Sequence, residues 1–138
     1  MRDDTAEEII LTGQASLSEI LEEMNEEGRF KASVLVSAEG LPLSLIPSPF
    51  DSETMAAMVA LVINTIQHAR QQIGLDEIDE VSIVQGDKMR LVCRYFVAEE
   101  EELILAVIAP PYQSYRLLTN RAISRIKRSW RVLSTAFS

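Results

Sequence analysis

The chain has 138 residues with a net charge of −8, one cysteine and one histidine. This length predicts a single domain over residues 1–138 with a conventional hydrophobic core. A single cysteine excludes an intrachain disulfide. Because the chain has only one cysteine and one histidine, a structural zinc site cannot form within one protomer. The acidic balance opposes binding to nucleic acid or to any other polyanion.

The first 14 residues are acidic and contain only three consecutive apolar positions, Ile9 to Leu11. This pattern is neither that of a signal peptide nor that of a membrane anchor. We expect the segment to be poorly ordered or to extend the next helix. The prediction is therefore a cytoplasmic protein that does not insert into a membrane.

A helix is predicted to begin at Ser16, because Ser16 and Glu19 have the spacing of a capping box. Gly28 is predicted to end this helix in a left-handed conformation. Its buried stripe consists of Leu17, Ile20, Leu21 and Met24, and its other side of Glu19, Glu22, Glu23, Glu26 and Glu27.

After this helix the hydrophobic period changes to that of a strand. Lys31 to Ala38 is apolar on both faces near its middle, which predicts a central strand. Leu41 to Ile46 is predicted to return as an edge strand, because Pro42 and Pro47 withhold amide donors. Ser48 to Phe50 is then expected to be a rigid connector.

The longest helix is predicted from Asp51, with Asp51 or Ser52 as its cap, to Gly74. All nine residues from Met55 to Ile63 are apolar, so this half of the helix has no polar side. A helix that is apolar all round needs cover on two sides. The stripe expected to pack on the sheet consists of Met55, Met58, Val59, Val62, Ile66, Ala69 and Ile73, and the residues left facing away are Ala56, Ala57, Ala60 and Leu61.

Three further strands and a final helix follow. The strands are predicted at Val81 to Gln85, Lys88 to Val97 and Leu103 to Ala109, the last of them fully buried and central. In the second of these strands Arg90 and Arg94 predict a partly wet face. A cationic amphipathic helix is predicted from about residue 114 to residue 134 or beyond. This order predicts helices on both faces of a five-stranded, mainly antiparallel sheet.

The two ends of the chain carry opposite charge. Residues 1–30 hold nine acidic residues against two arginines, which gives −7. Residues 112–138 hold six basic residues and no acidic residue, which gives +6. We expect the first and last helices to lie side by side on one face of the sheet.

The phrase VLVSAEGLPL, from Val34 to Leu43, stands before the Ala- and Met-rich helix from Met55. Together with the strand Leu103 to Ala109 and the arginine-bearing last helix, these segments resemble the roadblock / dynein light chain family. The resemblance extends over roughly residues 16–130. It implies an α/β (α+β) fold, a profilin-like sandwich of order αββαβββα.

The resemblance also implies a function without chemistry of its own. Members of this family are dimeric platforms that bind Ras-like or Rag-like small GTPases, or act as light chains and scaffold subunits. Bacterial and archaeal members are homodimers that work with a gliding-motility-type GTPase. We therefore expect a second copy and a small GTPase as partners, with the GTPase-binding residues at Asn64, Gln67, His68 and Gln71.

The expected contact with a second copy combines two surfaces. One is the outward apolar side of the long helix, and the other is the strand Val81 to Gln85, whose unpaired edge invites another chain. One two-fold operation can cover both of them. The interface residues predicted in this way are Ala56, Ala57, Ala60, Leu61, Ile63, Val81 and Ile83.

The sequence carries no pattern typical of catalysis or of nucleotide binding. It has no phosphate-binding G-x-x-x-x-G-K-[ST] loop and no G-x-G-x-x-G motif. His68 is expected on a solvated helix side, and the paired carboxylates on exposed surfaces are poor acid–base candidates. We therefore expect a protein that is not an enzyme and has no cofactor. A small-ligand sensor domain and a purely structural light-chain-like subunit remain as alternatives.

Overall fold

The computed structural model describes residues 16–46 and 52–137. The expected element order is confirmed there. The expectations for residues 1–14, for the connector Ser48 to Phe50 and for a cap at Asp51 lie outside the described residues. The elements are α1 (residues 16–28), β1 (Ala32–Ser37), β2 (Pro42–Ile46), α2 (Ser52–Ile73), β3 (Glu80–Val84), β4 (Arg90–Ala98), β5 (Glu101–Ala109) and α3 (Arg116–Phe137).

The strands form one sheet of order β2-β1-β5-β4-β3, and all neighbouring strands are antiparallel. Leu35 of β1 pairs with Leu105 of β5, and Cys93 of β4 pairs with Ala106 on the other side. The edge position of β2 is confirmed, and a register shift in β1 precedes its pairing with Pro42. The two edge strands of the sheet are therefore β2, which carries a proline, and β3.

The central strand β5 is buried from Leu103 to Ala109, as the continuous apolar run predicts. Alternate side chains of this run enter two separate cores, because successive residues of a strand point to opposite faces. Leu103, Leu105 and Val107 pack with α1 and α3. Ile104, Ala106 and Ile108 pack with α2.

The helices α1 and α3 lie on the same face of the sheet, which confirms the expectation drawn from their opposite charges. Two ion pairs join them, Glu27 with Arg121 and Glu23 with Arg125. Because these side chains are exposed, each pair contributes only about 0 to 1 kcal/mol to stability. The apolar stripes of the two helices account for most of their attachment to the sheet.

The C-terminal end of α1 differs from prediction. Ser16, where the helix is predicted to begin, is the first described residue and is helical. Gly28 is helical too, and the left-handed residue is Arg29, with φ at 56°. Gly28 serves packing instead of the turn, because the ring of Phe30 folds back onto it.

The inward stripe of α2 is shorter than predicted. Met55, Val59, Val62 and Ile66 are buried, but Met58 is 44% exposed and Ile73 is 72% exposed. Met58 lines a cavity together with Ile83 of β3, so its side chain borders open space and not a packed core. Ile73 is the last residue of the helix, from which the chain departs through Gly74 at a φ of 78°.

A methyl group at Gly28 tests the packing of Phe30. The Cβ atom of Gly28→Ala would lie 2.5 Å from Cζ of the buried Phe30 ring, so the ring must move. We expect the free energy of unfolding, measured with urea, to fall by about 1–3 kcal/mol. Gly86→Ala is the matched control, because a Cβ there meets nothing within 4 Å. Equal stability of the two variants would contradict this account of Gly28.

Candidate interaction surface along α2 and β3

In the part of the chain that the structure describes, one helix covers the sheet face on which α2 lies, whereas two helices cover the other. Five strands span about 24 Å, and a helix with its side chains is about 10–12 Å across. The α2 core uses side chains of β1, β5 and β4, and only Val81 of β3 packs partly against it. This face is therefore left incompletely covered on the side of β3.

The side of α2 that faces away from the sheet carries an exposed stripe. Ala57, Leu61, Asn64 and His68 follow at spacings of four and three residues and are all exposed. Leu61 is 67% exposed and is the largest side chain in the apolar half of this stripe. The stripe is apolar in its first half and polar in its second half.

The structure places the other predicted helix residues as follows. Ala60 is half-buried, and the side chain of Ala56 lies outside the described part. Ile63 corrects the prediction, because it is 6% exposed and packs in the core beneath α2. Gln67 and Gln71 are exposed like Asn64 and His68. The His68 Nδ1 atom donates to the carbonyl oxygen of Asn64 at 2.9 Å, which fixes its ring along the helix.

The strand β3 forms the second part of the surface. It pairs with β4 on one side, while its other edge has no strand beside it in the described part of the chain. Ile83 is 51% exposed, Val84 is also exposed, and Val81 is half-buried. An edge strand with free backbone groups and exposed β-branched side chains is a template for pairing with another chain.

A cavity of about 280 Å³ separates the first half of α2 from β3 and β4. Its lining is apolar except for Gln85. Three of the seven lining residues are methionines, whose flexible side chains can adapt to whatever fills the space. The residues around the cavity are Met55, Met58, Ile83, Gln85, Met89, Leu91 and Ile108.

An ion-pair network on the opposite face fixes the start of β3. Its centre is Arg94, which is 4% exposed. The Arg94 guanidinium donates to Oγ1 of Thr119 at 2.6 Å and to Oδ1 of Asn120 at 2.8 Å. It also donates to Oδ1 of Asp79 at 3.4 Å, and its Nε lies 3.8 Å from Oε1 of Glu80. A buried charge is stable only when paired in this way.

Arg116, the first residue of α3, completes the network from outside. It donates to Oδ2 of Asp79 at 3.1 Å and to Oε1 of Glu80 at 2.8 Å. The Tyr115 hydroxyl donates to Oε2 of Glu80 at 2.6 Å, as does Ser82 at 2.8 Å. These bonds attach the start of the exposed strand to the start of α3.

The network shifts the pKa values of its acids. Burial alone would raise the pKa of Glu80, but the hydrogen bonds from Tyr115, Arg116 and Ser82 outweigh burial and lower it. Burial alone would likewise raise the pKa of Asp79, but the hydrogen bond from Arg116 and the charge of Arg94 outweigh burial and lower it. The ionised carboxylates of Asp79 and Glu80 therefore stabilise the folded protein.

This network was absent from the sequence-based predictions, and the partly wet face predicted for Arg90 and Arg94 was wrong. The helix α3 covers that face, so Arg94 is buried. Arg90 stacks on the Tyr115 ring at 4.9 Å from its centroid and donates to a backbone carbonyl. The available signal was an arginine at an inward position of a strand, together with two acids just before the neighbouring strand.

Cys93 is buried, and burial raises the pKa of its thiol to about 12. Within residues 16–46 and 52–137 no cluster of three metal-ligating side chains occurs. Over the same ranges no helix is long and apolar enough to cross a bilayer.

Comparison with known proteins identifies the family of the chain. A family model of the Roadblock/LC7 domain matches residues 17–109, from the first buried residue of α1 to the end of β5. The chain belongs to the Roadblock/LC7 family. This confirms the resemblance seen in the sequence. No curated protein matches the chain significantly.

Solved structures of similar proteins share the fold. The gliding protein MglB from Thermus thermophilus is 22% identical with a TM-score of 0.70, covering 85% of this chain and 90% of that one. For Myxococcus xanthus MglB the identity is 17%, the TM-score 0.73 and the coverage 87% and 91%. A Roadblock/LC7 domain from Streptomyces avermitilis is 18% identical, with a TM-score of 0.70 and coverage of 85% and 97%.

The lowered pKa values in this Roadblock/LC7 chain predict an acid dependence of stability. The ionised carboxylates of Asp79 and Glu80 stabilise the fold above their unfolded pKa values, and this stabilisation is lost as pH falls through their folded pKa values. We expect the free energy of unfolding in urea to decrease from pH 5 towards pH 3, and Glu80→Gln to flatten that decrease. Glu22→Gln, on the exposed side of α1, should retain the wild-type slope. An unchanged slope in Glu80→Gln would contradict the network's role.

Proposed function

We propose that this Roadblock/LC7 protein is a homodimeric, non-catalytic interaction module that regulates or scaffolds a Ras-like small GTPase. The observation that carries the proposal is the exposure of two apolar surfaces, the first half of α2 and the open edge of β3. Leu61 on the helix and Ile83 on the strand are its largest exposed apolar side chains. Membership of the family supports the same interpretation.

A second copy can cover both parts of this surface at once. In a two-fold arrangement, α2 packs on α2 and β3 pairs antiparallel with β3, so each copy contributes the same residues. Ala57 and Ala60 are small, which allows the two helices to approach closely. A stable interface of standard size buries about 1,600 Å² in total. The apolar cavity beside Met58 provides space for a side chain of the second copy.

The GTPase is proposed to bind the polar half of the same stripe. Asn64, Gln67, His68 and Gln71 present exposed donors and acceptors next to the proposed two-fold contact. In the described residues, the carboxylates are either exposed or held by arginines, which suits a binding surface better than acid–base catalysis. Acceleration of GTP hydrolysis would then come from ordering the loops of the GTPase.

The cavity also supports a second candidate function, a sensor for a small apolar ligand. Its volume of about 280 Å³ lies just below the usual range for ligand sites, about 300–1,000 Å³. Only Gln85 could orient a ligand there, since the other lining residues are apolar. This lining suits an apolar side chain from a second copy better than a metabolite with polar groups.

A charge on α2 tests the homodimer. Leu61→Glu should place two like charges near the two-fold axis, at a cost of several kcal/mol in an apolar contact. Light scattering at low micromolar concentration should give twice the 15.5 kDa chain mass for the wild type and a single chain mass for the variant. Circular dichroism should show that the variant is folded. Leu117→Glu, at an equally exposed leucine on α3, should stay dimeric.

A wild-type mass near 15.5 kDa would refute the homodimer. A Leu61→Glu variant that is still dimeric would place the contact on another surface. If both leucine variants dissociate, the effect is one of general charge and not of the α2 surface.

Catalysis is tested by phosphate release from GTP. The purified protein should release phosphate at the background rate, because its sequence carries no phosphate-binding loop. Titration against Ras-like GTPases of the same organism should then show binding that differs between the GDP form and a GTP-analogue form. His68→Ala should weaken that binding while leaving the dimer mass unchanged. Turnover by the isolated protein that survives repeated purification would overturn the non-catalytic assignment.

A further inference from the structure

A second concave surface lies beside the C-terminal half of α2. It is an open groove of about 770 Å³ between the helix, the loop of residues 74–79 and the start of β3. Its base is apolar, and the residues that form it are Ile66, Ala69, Leu75, Ile78 and Val81.

Large apolar side chains at the head of this groove face solvent. Leu75, which lines it, is 51% exposed, and Ile73 just before it is 72% exposed. Both follow the long buried stripe of α2 and so continue the apolar surface outside the core. Neighbouring exposed apolar side chains next to a concavity are typical of a protein contact site.

The rim of the groove is acidic. Asp76, Glu77, Asp79 and Glu80 line it, and Arg116 is the one cation among its lining residues. Arg116 forms ion pairs with Asp79 and Glu80. Asp76 and Glu77 are exposed, and neither has an ion-pair partner within the part of the chain that the structure describes. The surface therefore combines an apolar base with two uncompensated negative charges.

This combination favours an occupant that has both apolar and basic side chains. A helix with apolar side chains on one side and lysines or arginines flanking them would fill the base and neutralise the rim. A second copy of the chain offers no such segment among its described residues, since its cationic helix α3 already packs its apolar side on its own sheet. The first 14 residues are acidic, so the rim would repel them.

We propose that this groove binds a cationic amphipathic helix of a partner protein. The apolar residues of that helix lie against Ile66, Leu75 and Ile78, and its basic residues lie beside Asp76 and Glu77. This site shares only Val81 with the predicted homodimer contact. The inference therefore goes beyond the proposed function and does not depend on the dimer.

The test uses the full chain and a fluorescein-labelled synthetic helix of about 18 residues, built from leucine and lysine with one apolar side. Binding is measured by fluorescence anisotropy at low salt. The same peptide with glutamate in place of lysine is the ligand control. We expect the lysine peptide to bind and the glutamate peptide not to bind.

Two variants of the protein locate the site. Leu75→Ser removes apolar contact area, and we expect about tenfold weaker peptide binding. Asp76→Asn combined with Glu77→Gln removes the rim charges, with an expected loss of about three- to tenfold. Glu19→Gln combined with Glu22→Gln removes the same charge from α1 and should change binding less than about twofold.

The outcomes separate the occupants. Equal weakening by the two charge-removing pairs would show attraction to net negative charge only and would overturn the proposal. Undiminished binding to folded Leu75→Ser would exclude the groove as the site, as would absence of lysine-peptide binding to the wild type. If Leu75→Ser instead halves the mass in light scattering, a second copy occupies the groove and the partner-helix assignment is wrong.

Discussion

The burial of both faces of β5 is the constraint on which the rest of the structure depends. A strand with seven consecutive buried residues needs a layer of helices above and below it. α1 and α3 together supply one layer, and their opposite charges suit them to lie side by side. Among the described helices α2 alone supplies the other, and one helix cannot cover five strands. The uncovered apolar area falls beside β3, where Met58 and Ile83 are exposed, and Leu61 is exposed on the outward side of α2.

The two faces of β3 and β4 are stabilised by different physical means. On the face of α2 the contacts are apolar and incomplete, and a cavity remains. On the face of α3 polar and ionic contacts are added, since Arg94 donates to Asp79, Thr119 and Asn120 and its Nε lies 3.8 Å from Oε1 of Glu80. The ionic side fixes where β3 starts relative to α3. The apolar side keeps the strand available for contact with another chain.

Membership of the Roadblock/LC7 family and the exposed α2–β3 surface support the same interpretation of function. The exposed side of the molecule changes character along α2 and the loop after it, from apolar at Leu61 to polar at His68 and to acidic at Asp76. Each part suits a different contact: a second copy, a polar protein surface and a cationic helix. A module that joins several proteins needs such distinct neighbouring surfaces, because one surface cannot hold two partners at once.

The sequence by itself determined the element order, the central position of β5, the edge position of β2 and the shared face of α1 and α3. These follow from local periodicity, from proline and from net charge, which can be read without knowing the contacts. Only the tertiary structure decided which side chains at the margins are covered. In the folded protein Met58 and Ile73 are exposed and Ile63 is buried. Whether these side chains are covered depends on how far the sheet extends beneath α2. Arg94 is buried as well, and its hydrogen bonds go to Thr119 and Asp79. These partners are distant in sequence, so local periodicity could not predict the burial.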